Sequence, residues 1–166
     1  MNKKTSVITY KEDCYTNDDA YERVITYNMK NEKIGGYLLY PPFERDSLIQ
    51  QFEYCEANSL HYIESKLWHF MVSISNVNYH HTLLLLGNEI ASLFTPDYQV
   101  MYTLDTCTKH NHLHFIVNAY HCQPNGQPLS KELFQYYLNE ISRILITKFP
   151  THQILIEKKE DTDYYV

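Results

Sequence analysis

The sequence predicts an α+β domain, a central antiparallel β-sheet with helices packed on one face. Three observations predict it. Leu67–Ser75 (LWHFMVSIS) alternates with a two-residue period, two further strand-like segments follow each other at Tyr98–Leu104 and Asn111–His121, and apolar residues take helical spacing over His81–Phe94 and Ser130–Phe149. At 166 residues the chain suits one core, so residues 1–166 are expected to form a single domain, with its body over about 17–149 and an acidic tail over 157–166.

Taken in order, Thr5–Tyr10 reads as a strand, and Asn17-Asp18-Asp19-Ala20 as a capped entry to a helix ending near Met29. Gly35-Gly36 and Pro41-Pro42 punctuate the chain before a second helix from about Arg45 to Ser59. In Leu67–Ser75 the face made by Trp68, Phe70, Val72 and Ile74 is wholly apolar, while Leu67, His69, Met71, Ser73 and Ser75 lie on the other. Leu83 to Leu86, Ile90 and Leu93 give the third helix its buried stripe. The segments Tyr98–Leu104 and Asn111–His121, joined by a short polar loop, should pair antiparallel. Asn125-Gly126 supplies a turn, Ser130 a cap for the long helix to Phe149, and Gln153–Glu157 a last short strand.

Composition sets limits on chemistry. No apolar stretch reaches the ~18 residues of a membrane span, and Met1-Asn2-Lys3-Lys4-Thr5 leads into no signal-like run, so a cytoplasmic protein without membrane contact is expected. Cys14, Cys55, Cys107 and Cys122 form no CxxC pair, which speaks against a disulfide framework or a four-cysteine zinc site. A formal charge of −6 weighs against nucleic-acid binding, and Val24 to His152 still carries eight bases against eleven acids. Any such function needs a metal ion and a local basic lip.

The histidine-rich segment is the main chemical signal. Alternation puts His110, His112 and His114 on one face of a strand and Asn111, Leu113, Phe115 and Val117 on the other. Side chains two residues apart, ~7 Å at the backbone, converge on one cation by tilting their rings. Asp105, at the end of the preceding strand, is the nearest third ligand. Two imidazoles and one carboxylate with open positions suit a divalent ion such as Mn²⁺ or Mg²⁺, with Zn²⁺ a weaker fit. Two other readings compete with this one. The histidines are solvent-facing or backbone-bonded groups of no chemical consequence, or Cys107, His110, His121 and Cys122 hold zinc.

Beyond these patterns, Tyr98-Gln99-Val100 to Asp105-Thr106 with His110-Asn111-His112-Leu113-His114-Phe115-Ile116-Val117-Asn118 resembles the third motif of the relaxases, the mobilisation nucleases of conjugative and mobilisable elements. These belong to the endonucleases in which two histidines flank a hydrophobic residue, the HUH class. Trp68 to Ile74 is similar to the second motif, whose serine, here Ser73, contacts DNA. Ala20 to Lys33, with Tyr27-Asn28 followed by Lys30 and Lys33, resembles the first, in which the tyrosine is the nucleophile. Asp105 stands where the family usually has a third metal-binding histidine, and Cys107 where an Asp is common.

The resemblance implies an HUH-like fold and metal-dependent, site- and strand-specific nicking and strand transfer on single-stranded DNA at a transfer origin, through a phosphotyrosine link. It implies accessory mobilisation and coupling proteins as partners. Tyr27 would attack the phosphodiester, with Tyr21 or, on the later helix, Tyr136 or Tyr137 as alternatives. His112, His114 and Asp105 would hold the metal. His110 or His69 would accept the phenolic proton. Ser73, Lys30, Lys33 and Lys109 would contact the strand. A non-nicking module that binds DNA or protein is the alternative implied by Asp105 and the acidic balance.

Overall fold

Residues alternating every second position build six strands, and those with helical spacing build four helices, across the parts of the chain that the computed structural model describes, residues 3–12, 15–31, 33–106 and 110–159. The strands are β1 (Thr5–Tyr10), β2 (Lys33–Tyr37), β3 (Leu67–Ile74), β4 (Val100–Asp105), β5 (His112–Asn118) and β6 (Gln153–Lys158). The helices are α1 (Ala20–Asn28), α2 (Arg45–Asn58), α3 (His80–Ser92) and α4 (Lys131–Lys148). They form one mixed sheet in the order β2-β4-β5-β3-β1-β6. The expected antiparallel sheet is present in every pairing among β1 to β5, and it is corrected at one edge, where β6 runs parallel to β1 after the chain returns along α4. Glu157 and Lys158 belong to this strand rather than to a tail.

β2 is the element the sequence reading missed. Its central glycines sit where another side chain needs the space: a Cβ on Gly35 would lie 2.4 Å from the ring and hydroxyl of Tyr102, and one on Gly87 of α3 would lie 2.8 Å from the same ring. Gly35 of this strand and Gly87 of α3 therefore admit one aromatic ring to the core, and the glycine pair of β2 does not make a turn.

The expectation of helices on one face is also corrected. On one side of the sheet, Trp68, Phe70, Leu113, Phe115 and Val117 pack with α3 and α4, including a Phe70–Phe115 stack at 4.7 Å and a Trp68–Phe134 stack at 4.6 Å. On the other side, Leu67, Met101 and Ile116 are fully buried against Tyr21, Ile25, Leu48 and Phe52 of α1 and α2. The cause lies in the strands. The face that carries His112 and His114 becomes apolar toward its Asn118 end, and burying that apolar end against two helices is favourable at about 25 cal/mol per Å². α1 and α2 cover this end, while the histidines stand at the other. Ser130 caps α4 as anticipated, accepting from Leu133 N–H at 3.2 Å.

Candidate metal centre

Strand register lays the polar face out as rows. Asp105, His112, Ser73 and Val7 lie side by side across β4, β5, β3 and β1, and the next row is Ile34, Thr103, His114, Met71 and Thr9. A ligand atom from each of Asp105, His112 and His114 lies within 4.8 Å of the other two. Ligand atoms each ~2.1 Å from one ion and about 90–120° apart lie about 3.0–3.6 Å from one another, so side-chain adjustment of about an ångström closes the set. The donors fit a small divalent ion: two imidazoles and a carboxylate, with Asp105 and His112 half-buried and His114 buried.

The protonation states favour ligation. Burial holds the His114 imidazole at about 4, against the pull of Asp105 in the other direction, and His112 is lowered for the same first reason. Both present neutral rings at pH 7. His114 Nε2 faces Asp105 Oδ2 at 3.8 Å. Its Nδ1 is engaged elsewhere, 3.3 Å from Nε2 of His69. His69 is only 3% exposed and is pushed well below the usual histidine range by burial and by His114 and Lys11. Its own Nδ1 is 3.1 Å from the hydroxyl of Tyr15.

Other expected residues fall differently. Ser73 is half-buried and directly beside His112 in the sheet. His110 is exposed and two residues away, close enough for its charge to act on His112. Tyr27 lies on the outer flank of α1 with Lys30 over its ring at 5.0 Å, in a cavity of about 480 Å³ shared with Asp19, Glu22, Arg23, Thr26 and Arg45 that takes no residue from the triad. Its neighbour Asn28 is the one that turns inward, fully buried, its Oδ1 without a hydrogen bond. Lys33 pairs with Leu104 and so points to the α3 face, opposite the histidines, because alternation sends Ile34 to the site side. The cations whose charge reaches the histidines are instead Lys11 and Lys159. Lys109 and Cys107 lie outside the described residues.

Three alternatives from the sequence are placed apart from the triad. Tyr137 packs on Phe94 at 4.4 Å in the layer behind the sheet, and Tyr136 shares its helix. Tyr21 is buried, its hydroxyl donating to Asn118 Oδ1 at 3.4 Å, four residues and about 13 Å along β5 from His114. A zinc site including His110 and His121 is ruled out because β5, about 20 Å long, separates them. His121 instead faces Asp97 at 3.3 Å.

The sequence reading missed Tyr15 and the use made of His69, together with Thr103 and Asn31, whose Nδ2 donates to Thr103 Oγ1 at 2.9 Å beside His114. Alternation did place His69 on the histidine face. Nothing in the sequence brought Tyr15 to it.

No protein-family model matches the chain, and neither a curated protein nor a solved structure is significantly similar to it. No helix among the described residues is long and apolar enough to cross a membrane.

Proposed function

We propose that the protein is a divalent-metal-dependent enzyme of relaxase type that acts on phosphodiesters of single-stranded DNA. The observation that carries this reading is the convergence of Asp105, His112 and His114 at the end of the sheet face beyond Leu67, Met101 and Ile116, the residues that α1 and α2 bury. A divalent ion held there supplies Lewis-acid polarisation of a phosphate oxygen and neutralises charge in the transition state. The Ser73 hydroxyl, in the same row as His112, is positioned to donate to a second phosphate oxygen. His110, exposed at the mouth, is the group suited to take up a proton. Tyr27 is the proposed nucleophile. Its phenolic oxygen bonds to phosphorus, the 3′-oxygen of the preceding nucleotide leaves and is protonated, and a 5′-phosphotyrosine remains.

A second reading, a domain that binds single-stranded DNA or a protein without nicking, is favoured by the location of Tyr27 outside the cluster, and the net charge of −6 favours its protein-binding form. One experiment separates the two. Wild-type protein is incubated with Mn²⁺ and single-stranded oligonucleotides from its own genetic neighbourhood, and covalent adducts are sought on a denaturing gel. An adduct abolished in Tyr27→Phe supports nicking. Strand binding without adduct selects the second reading, and neither binding nor adduct removes both.

A further inference from the structure

We propose that Tyr15, His69 and His114 form a tautomer relay that presents the bare Nε2 of His114 to the metal, which makes His69 a positioning residue for that ligand. The inference rests on the Asp105–His112–His114 reading and adds what holds one of its ligands. The planes of the His69 and His114 rings are inclined at 24° to each other, with centroids 5.6 Å apart. Face-to-face packing brings ring centres closer, whereas side-by-side rings joined by an in-plane N–H···N bond have this spacing, in agreement with the 3.3 Å between His69 Nε2 and His114 Nδ1. Both rings are buried, and Tyr15, 3% exposed, closes the far end at 3.1 Å from His69 Nδ1. The backbone fixes Tyr15 as well, since Lys66 N–H donates to its carbonyl at 2.8 Å.

Each neutral imidazole carries one N–H, so the chain has two consistent hydrogen patterns. In the first, Tyr15 O–H donates to His69 Nδ1, His69 Nε2–H donates to His114 Nδ1, and His114 Nε2–H is directed at Asp105. In the second, His114 Nδ1–H donates to His69 Nε2, His69 Nδ1–H donates to the Tyr15 oxygen, and His114 Nε2 has a free lone pair. Only the second allows ligation from the nitrogen that faces Asp105. Passing from one to the other moves the His69 Nε2 hydrogen to His114 Nδ1 and the Tyr15 hydrogen to His69 Nδ1, while the hydrogen leaving His114 Nε2 is replaced on Tyr15 through solvent. The three groups hold three hydrogens before and after. Binding through His114 thus releases no net proton from this chain of groups, and the ring stays locked by a buried acceptor.

Two measurements test the relay. Long-range ¹H–¹⁵N spectra of the uniformly labelled protein report the tautomer of each histidine without and with Zn²⁺, used as a diamagnetic probe. The relay predicts that His114 and His69 both carry their hydrogen on Nδ1 in the loaded protein. In parallel, Mn²⁺ affinity is measured for wild type, His69→Leu and His69→Gln. Leu offers no acceptor and should weaken binding about 10–100-fold. Gln, which accepts through Oε1, should recover most of that loss. A His69 that carries its hydrogen on Nε2 in the loaded protein, or a folded His69→Leu that binds as tightly as wild type, overturns the relay while leaving the triad intact. Wild type that binds neither ion overturns both the relay and the metal centre. The tautomer measurement needs no variant, so a His69→Leu protein that fails to fold still leaves a decisive result.

Discussion

Burying His114 as a neutral ring makes the protein sensitive to mild acid, and the size of the effect follows from its environment. Its imidazole is held at about 4 when folded, mainly by burial, and returns to 6.5 when the chain unfolds. Between those values the unfolded state binds the extra proton, so stability falls as pH falls. The contribution is complete above pH 6.5 and is lost progressively toward pH 4. The full span is worth about 3 kcal/mol, of which about 2 kcal/mol is gone by pH 5. His69 and His112 are lowered too and add in the same direction. Urea unfolding in a chelator, followed by fluorescence of the single, buried Trp68, measures this at pH 7.5 and pH 5. Wild type should lose at least about 2 kcal/mol on that change of pH, and His114→Gln distinctly less. Equal stability at the two values, or an undiminished loss in the variant, would refute the assignment of buried neutral histidines.

Two substitutions examine the frame around the centre. Asn118 is fully buried and four-fold bonded, accepting from the Tyr21 hydroxyl and Tyr120 N–H and donating to Phe52 O and Gln99 Oε1. Asn118→Ala leaves several of these groups unpaired and should cost about 3 kcal/mol or more in a urea titration, with a loss below 1 kcal/mol contradicting the network. Gly35→Ala should destabilise by about 1–3 kcal/mol because its Cβ would collide with Tyr102, a ring also held by its hydroxyl bond to Asn88. A neutral or stabilising result would show that β2 does not pair with β4 in this register.

Periodicity made most of the framework legible. The alternation in Leu67–Ile74 and the Ser130 cap of α4 needed only local rules, and both are present within a residue of their expected bounds. β2 was hidden because Gly35-Gly36 reads as punctuation unless the neighbouring Tyr102 is known. The second helical layer was hidden for a related reason. The polar character of the sheet face was judged from its histidines, although Leu67, Met101 and Ile116 at its other end demand cover. At the centre, Asp105, His112 and His114 were readable because a hairpin fixes their neighbourhood. The relay was not, since the register pairs His69 with Ile116 and leaves it diagonal to His114, and since Tyr15 arrives from a loop. Register and loop paths are set by the whole packing, which no window of sequence contains.

Calorimetric titration of the metal-free protein with Mn²⁺ tests most directly whether Asp105, His112 and His114 hold one divalent ion. Wild type should bind one equivalent, and Asp105→Ala, His112→Ala and His114→Gln should each weaken binding by at least about tenfold while remaining folded. Absence of binding by wild type, or binding that none of the three substitutions changes, would contradict that site.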